Sequence, residues 1–382
     1  MRVYLLMLAV SFAVSACVTP LVRAVGMRTM ADIPLRSRDM HHEHIPKLGG
    51  VAMIAAVLVG LAMASQAPFL SGIFTRPDIV LGLVLALLVV LVIGVADDLF
   101  DLHWSIKMVG QFGTALLLAF SGVRIEVLPV GWFMLQNPFW QIAVAVLVMV
   151  AMMNAINFVD GLDGLAAGIA AIGASAFFLY CYLLAKDVNQ YDHSNLAALL
   201  MVLLLGASLG FLVHNFNPAK IFMGETGAQM IGLVMAVAAI SVTTDVQALD
   251  GFRFRNVPAY MPILLPLAVI LIPVIDMVAA VIRRTARGTS PFTADRGHLH
   301  HKLVDGGYTH RGAVLLLYVW SAIVAFGTVS LNWIPATISL PVMAVALVAA
   351  ALVTASPWIR KRFSIRSAAK ARRMAEQRRG RL

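Results

Sequence analysis

A short polar stretch between two apolar segments carries residue types that are used in phosphate and metal chemistry. Asn154, Asn157 and Asp160 recur at every third position, and Asp163 follows between two glycines. Residues three apart lie on one face of a helix, so the first three should form a polar stripe. Acidic groups at membrane depth cost free energy and usually mark a site or an ion pathway. The stretch therefore predicts a functional site at the end of a membrane helix.

A second acidic cluster is the adjacent pair Asp97 and Asp98, with Lys107 after it. Neighbouring carboxylates raise each other's pKa unless a cation lies between them. Mg²⁺ prefers carboxylate oxygens and usually keeps water or substrate phosphate among its ligands. A solvated helix end is the alternative interpretation of the pair alone. Further acidic residues are expected at the same membrane face, and they favour a metal site: Asp160, Asp163 and Glu225.

A basic segment near residue 300 contains Arg296, His298, His300, His301 and Lys302. Histidine clusters often bind zinc, but no cysteine lies here and the acidic residues call for a harder metal. Arginine, lysine and protonated histidine together favour phosphate binding. A structural loop and a zinc site are the alternatives.

Composition predicts an all-α, polytopic membrane protein. Hydrophobic residues make up 60% of the 382 residues and charged residues only 13%, whereas soluble domains average about 25% charged. The two cysteines indicate no disulfide framework. Apolar runs of spanning length predict about eleven transmembrane helices, at roughly 3–25, 49–66, 78–96, 107–122, 139–157, 163–185, 195–214, 226–244, 258–282, 312–330 and 334–356. The segment Val123–Asn137 is predicted to be a short hairpin or an interfacial segment.

The distribution of basic residues predicts the orientation. A basic tail, residues 358–382, follows a transmembrane catalytic domain, residues 1–357. Because basic segments stay in the cytoplasm, the C-terminus is predicted inside and the N-terminus outside. The polar segments then share the cytoplasmic face: 26–48, 97–107, 154–164, 214–227 and 283–311. The tail has no interleaved aromatic residues, so we expect it to bind anionic lipid and not nucleic acid.

These motifs resemble those of the polyprenyl-phosphate N-acetylhexosamine-1-phosphate transferases of the glycosyltransferase 4 type. The closest resemblance is to the undecaprenyl-phosphate GlcNAc-1-phosphate transferase branch. Two residues depart from the family pattern, which usually has Asp at Glu225 and Ser at Ala228. The matching motifs are Asp32-x-Pro34 with Pro46-x-Leu-Gly-Gly, Asp97-Asp98 with Asp101, Asn154-x-x-Asn157-x-x-Asp160-Gly-x-Asp163-Gly, Asn215-Phe-x-Pro218-Ala-Lys220-x-Phe-Met-Gly224 and Asp295-Arg296-x-His298-x-His300-His301-Lys302.

The resemblance implies a bacterial plasma-membrane enzyme whose active site faces the cytoplasm. Its substrates would be a UDP-N-acetylhexosamine and polyprenyl phosphate, and its products polyprenyl-diphospho-sugar and UMP, at the first membrane step of a cell-envelope glycan. It also implies a Mg²⁺ cofactor, with Mn²⁺ as a substitute, and is compatible with a homodimer. The sister branch, which transfers phospho-MurNAc-pentapeptide, has three consecutive histidines, so His298-Leu-His300-His301 favours GlcNAc.

The resemblance also implies roles for individual residues. Mg²⁺ would bind Asp98 and Glu225, and the lipid phosphate would attack the phosphorus that carries the sugar. Asp97 would orient or deprotonate the lipid phosphate, although a double displacement through an aspartyl phosphate stays open. The catalytic set is Asp97, Asp98, His298, His300 and His301. The substrate-binding set is Lys107, Asn154, Asn157, Asp160, Asp163, Asn215, Lys220, Arg296 and Lys302.

Two other classes of protein are compatible with parts of this pattern. A secondary transporter would place carboxylates near mid-membrane and would show internal repeats, whereas here the acidic residues crowd one predicted face. A non-catalytic envelope scaffold would result if Glu225 had abolished metal binding.

Overall fold

A computed structural model of the chain describes residues 1–29, 45–125, 127–128, 133–134, 137–188, 195–247, 268, 271, 275, 278, 282–286, 288, 303 and 305–356. Within these ranges the fold is helical apart from one short hairpin, which confirms the all-α prediction. The helices are α1 (Arg2–Thr29), α2 (Gly49–Ala64), α3 (Pro77–Phe100), α4 (Trp104–Phe120), α5 (Pro138–Val159), α6 (Leu165–Val188), α7 (Leu196–Asn215), α8 (Gly224–Gln247), α9 (His310–Ser330) and α10 (Ala336–Ser356).

Two smaller elements join these helices. A 3₁₀ helix, Pro68–Thr75, follows α2 after a bend of 105°. Strands β1 (Val127–Leu128) and β2 (Phe133–Met134) pair antiparallel between α4 and α5, with Val127 opposite Met134. The predicted hairpin within Val123–Asn137 is therefore confirmed.

The predicted spans agree closely with these helices. In the described part of the chain, eight helices are long and apolar enough to cross a membrane, or nine if α2 and the 3₁₀ helix form one bent span. The shorter α4 corresponds to the predicted span 107–122. Most of the predicted span 258–282 lies outside the described residues, as does the basic tail. The total of eleven spans and the orientation of the termini stay predictions.

Local sequence signals set several helix ends. Pro77 and Pro138 occupy the first turns of α3 and α5, where a missing backbone N–H costs nothing. The Asn195 side chain accepts a hydrogen bond from Ala198 N at 3.1 Å and caps α7. Helix α3 ends at Phe100, and the φ of 53° at the next residue, Asp101, turns the chain toward α4.

Helix α8 lies at the centre of the bundle and is almost wholly buried. It packs against α2, α3, α5, α6 and α7, while α1 crosses α7 and α9 packs on α6. Buried hydroxyls hold α1 to α7, because Ser11 donates to Leu203 O and Ser15 donates to Ala207 O, each at 2.7 Å. Such interhelical hydrogen bonds satisfy polar groups where no water is present.

A close approach of α3 to α8 requires glycine at position 94. A methyl group there would lie 2.6 Å from the Thr226 Cα, which is backbone and cannot rotate away. Helix α3 can therefore bring its last two turns, including Asp97 and Asp98, against the first turn of α8.

Replacing this glycine should loosen the junction between α3 and α8. We expect Gly94→Ala to lower the melting temperature of the purified protein, because overpacking costs about 1–3 kcal/mol. Gly113→Ala is the matched control: this glycine is also helical, but nothing lies within 4 Å of the added methyl group. Alanine there should leave the melting temperature unchanged or raise it, since it favours helix by about 1 kcal/mol. Equal shifts in the two variants would contradict the proposed contact.

Candidate active site

Three of the five predicted polar segments contribute side chains to one cluster at the end of the bundle. The last turn of α3, the first turns of α4 and α8, and the last turn of α5 meet there through side-chain contacts. Three of the predicted segments are therefore neighbours in space: 97–107, 154–164 and 214–227.

Asp98 caps the N-terminus of α8. Its Oδ1 accepts from Glu225 N at 2.8 Å, and its Oδ2 accepts from Thr226 Oγ1 at 2.8 Å and from Thr226 N at 3.4 Å. A helix N-terminus carries unpaired N–H groups and partial positive charge, so it stabilises a carboxylate. Gly224, with a φ of 71°, makes room, because a side chain there would lie 2.5 Å from Asp98 Oδ2.

Asp97, the other member of the acidic pair, forms a separate ion pair. Its Oδ2 lies 2.8 Å from Lys107 Nζ on α4, and its Oδ1 accepts from Leu102 N at 2.8 Å. The same ammonium lies 3.8 Å from Glu225 Oε2. Lys107 therefore stands between two carboxylates that belong to different helices.

Two amide side chains hold the Glu225 carboxylate. Asn157 Nδ2 donates to Oε1 at 3.1 Å and to Oε2 at 3.0 Å, and Gln229 Nε2 donates to Oε1 at 3.0 Å. Asn157 is one member of the predicted polar stripe on α5, and the structure brings it to a carboxylate on α8.

A second stripe residue, Asn154, contacts α4. Its Nδ2 donates to Gln111 Oε1 at 2.6 Å and to Val150 O at 2.8 Å. Asn154 thereby joins α5 to α4 one turn away from Asn157, so that the stripe forms a wall of the site and does not face lipid.

Asp163 and Asn215 organise the loop between α7 and α8. Asp163 Oδ2 accepts from Asn217 Nδ2 at 2.9 Å and from Ala219 N at 3.0 Å. Asn215 accepts from Gly164 N at 3.0 Å and donates to Ile221 O at 2.8 Å. Both residues are buried. Their predicted role in substrate binding stays a prediction, and the contacts give each a structural role.

Asp160 and Lys47 share this part of the site. Burial raises the pKa of the Asp160 carboxyl from its ordinary 3.8 to about 7, Glu225 and Asp163 add repulsion, and Lys47 acts in the opposite direction. The segment that carries Lys47 is fixed beside α8, since Phe222 N donates to Pro46 O and Gly49 N donates to Phe222 O, each at 2.9 Å.

Several predicted residues lie outside this cluster or outside the described ranges. Lys220 is exposed, and its backbone O accepts from Arg23 Nε at 3.0 Å. The basic set Arg296, His298, His300, His301 and Lys302 falls among residues that the structure does not describe.

The acidic residues Asp98 and Glu225 were predicted to hold a cation. Among the described residues, no three His, Cys, Asp or Glu side chains gather closely enough to hold a metal ion alone. Asp98 uses three of the roughly four lone-pair positions of a carboxylate in capping α8, which leaves about one. Glu225 Oε2 already faces a positive group, Lys107. These donors fit a Mg²⁺ ion that takes its remaining ligands from substrate phosphate and water, as Mg²⁺ commonly does.

Sequence reasoning missed four residues at the site. Lys47 is the unspecified residue x of the motif Pro46-x-Leu-Gly-Gly. Its positive charge was the sequence feature that could have indicated a role in the site. Gln111, Thr226 and Gln229 are buried polar residues in apolar helices. The rarity of glutamine in such a run was the only indication available for two of them.

Comparison with known proteins identifies a matching family and several relatives. Residues 80–243 match glycosyl transferase family 4. The chain is 38% identical over 345 residues to a decaprenyl-phosphate N-acetylglucosaminephosphotransferase of Mycolicibacterium smegmatis, which covers 89% of this chain and 85% of the relative. Undecaprenyl-phosphate alpha-N-acetylglucosaminyl 1-phosphate transferases of Yersinia pestis and Escherichia coli are 30% and 28% identical, over 75% of this chain and 73% of each relative. The family resemblance drawn from the motifs is thereby confirmed.

Removing the Asp160 charge should stabilise the protein at high pH. The raised pKa means that the folded state binds this proton more tightly than the unfolded state, so stability falls as pH rises from 3.8 toward 7. We expect Asp160→Asn to raise the melting temperature at pH 8, in EDTA and without substrate, and to raise it less at pH 5. A gain that is equal at both pH values would contradict a charge-destabilised Asp160.

Proposed function

The chain belongs to glycosyl transferase family 4, and we propose that it transfers GlcNAc-1-phosphate from a UDP-sugar to polyprenyl phosphate. The products are polyprenyl-diphospho-GlcNAc and UMP. An oxygen of the lipid phosphate forms a bond to the phosphorus that carries the sugar, and the bond from that phosphorus to UMP breaks. The relatives named above act on polyprenyl phosphates by their names, and they support both the reaction and the sugar.

One observation in the structure carries the proposal. Asp97, Lys107, Asn157 and Glu225 form a continuous polar cluster at one end of four apolar helices. Phosphoryl transfer to a lipid needs acidic, basic and amide groups beside the membrane, because positioning and charge neutralisation provide most of the rate enhancement.

Mg²⁺, with Mn²⁺ as a substitute, is the cofactor that we propose for this cluster. Asp98 and Glu225 would hold it, and when bound it would neutralise charge on the diphosphate of the UDP-sugar. The capping contacts of Asp98 keep that carboxylate in one orientation, and Asn157 does the same for Glu225.

The remaining residues bind and orient the two substrates. Lys107 offers an ammonium to phosphate oxygens, and its ion pair with Asp97 holds that carboxylate where it can orient or deprotonate the lipid phosphate. Asp160, Asp163 and Asn154 would form the side of the site that binds the nucleotide of the UDP-sugar. The basic segment Arg296–Lys302 would neutralise the diphosphate.

The proposed location is the bacterial plasma membrane, with the cluster facing the cytoplasm. The positive-inside distribution of Lys and Arg supports this orientation. Nucleotide sugars are polar and charged, so a site for UDP-GlcNAc should open to the compartment in which they are made.

The alternatives explain less of the structure. A transporter would hold its carboxylates near mid-membrane, whereas Asp97 and Asp98 lie near the end of α3 and Glu225 lies at the start of α8. A scaffold would not need an acidic pair that is separately capped and ion-paired. A phospho-MurNAc-pentapeptide transferase would share this site, and the sugar donor distinguishes it.

A transfer assay with purified protein tests the proposal. With radiolabelled UDP-GlcNAc, polyprenyl phosphate and Mg²⁺, we expect label in the lipid fraction and UMP in solution, and neither product in EDTA. Label from UDP-MurNAc-pentapeptide alone would assign the sister reaction. No lipid-linked product from either donor would overturn the proposal.

Substitution of the acidic pair tests the site assignment. We expect Asp97→Asn to lower the rate of transfer at least about 100-fold, since it removes a charge at the reacting phosphates. Asp78→Asn is the matched control, because Asp78 is an exposed aspartate in the first turn of the same helix, at its opposite end. That variant should keep native activity. Near-native transfer by both Asp97→Asn and Asp98→Asn would show that the pair is not catalytic.

A further inference from the structure

Gln229 is a buried polar residue that the reaction outlined above does not use. It lies one turn after Glu225 on α8, and only 2% of its surface is exposed. Burying an amide in an apolar helix costs free energy unless it is hydrogen-bonded. Its Nε2 donates to Glu225 Oε1 at 3.0 Å, so its contact is with a site carboxylate.

The two oxygens of Glu225 have different surroundings. Oε1 accepts from Gln229 at 3.0 Å and from Asn157 at 3.1 Å. Oε2 accepts from Asn157 at 3.0 Å and faces Lys107 at 3.8 Å. Gln229 therefore donates to Oε1, whereas the contact with Lys107 is made by Oε2.

The length of the glutamate side chain makes this support necessary. Glutamate has one more rotatable bond than aspartate, and its carboxylate can turn about the terminal bond with little preference. Mg²⁺ requires near-ideal octahedral geometry, so a ligand free to rotate is a poor one. Two donors on one carboxylate restrict both its position and its rotation.

We propose that Gln229 is a positioning residue that, together with Asn157, fixes Glu225 so that its Oε2 is available to the proposed Mg²⁺. This inference rests on the proposed function and deepens it. The residue four positions after Glu225 on α8 would determine whether a glutamate can act as the metal ligand of this site. Gln229 acts through Glu225, whose carboxylate lies between the Gln229 amide and Lys107.

A double-mutant cycle with Mn²⁺ as the probe tests this. Mn²⁺ binding to the full-length purified protein is measured by EPR, with UDP-GlcNAc at a concentration that saturates every variant and with no lipid acceptor, so that nothing turns over. Gln229→Met keeps the side-chain length but removes the donor, and we expect Mn²⁺ to bind about tenfold more weakly, as for a lost hydrogen bond to a charged group.

In the Glu225→Asp background the carboxylate is withdrawn by about 1.5 Å, beyond the reach of Gln229. The same change should then alter Mn²⁺ binding by less than about twofold.

Gln111→Met is the matched control for loss of a buried glutamine. Gln111 is also 2% exposed, and its Oε1 accepts from Asn154, not from Glu225. We expect Gln111→Met to leave the Mn²⁺ affinity unchanged and to raise the KM for UDP-GlcNAc. If Gln229→Met does not fold, Gln229→Asn, which keeps a shorter amide, should still weaken Mn²⁺ binding about threefold or more.

Two results would overturn the inference while the proposed function survives. One is wild-type transfer together with an unchanged Mn²⁺ affinity in Gln229→Met. The other is equal weakening of Mn²⁺ binding in the wild-type and Glu225→Asp backgrounds, which would mean that Gln229 acts through packing alone. Absence of both Mn²⁺ binding and transfer in the wild-type protein would instead reject the proposed function, and this inference with it.

Discussion

The site depends on the Asp98 carboxylate at the first turn of α8. A helix that begins inside a bundle has N–H groups without intrahelical partners, and a partly buried carboxylate has lost part of its hydration. Each satisfies the other, since Asp98 accepts from Glu225 N and from Thr226. Because this bond joins α3 to α8, it also sets the separation of the site residues that the two helices carry.

The acidic pair avoids its own repulsion by sending the two side chains to different partners. Consecutive residues on a helix point about 100° apart, so Asp98 can reach α8 while Asp97 reaches Lys107 on α4. A cation between two adjacent carboxylates is one way to relieve their repulsion. In the structure the helix N-terminus of α8 stabilises Asp98 and the Lys107 ammonium stabilises Asp97. The proposed Mg²⁺ would then use the carboxylate lone pairs of Asp98 and Glu225 that accept no hydrogen bond.

The rest of the cluster consists of amide groups that orient charged ones. Asn157 and Gln229 hold Glu225, and Gln111 holds Asn154. In a medium of low dielectric such hydrogen bonds are strong, and an unpaired amide would be costly. The arrangement is therefore well defined before substrate arrives, as electrostatic stabilisation of a phosphoryl-transfer transition state requires.

Hydropathy and motif order along the chain were sufficient to predict the membrane helices that the structure describes, the hairpin after α4 and the family. The sequence also identified the acidic pair and the polar stripe on α5. The partner of each of these residues is visible only in the folded protein. Asp98 and Glu225 are 127 residues apart, and in the sequence Gln111 and Gln229 look like isolated polar residues in apolar runs. Partner choice depends on which helices pack together and at what separation, and in a bilayer hydrophobicity alone favours no particular neighbour, since lipid is as apolar as another helix.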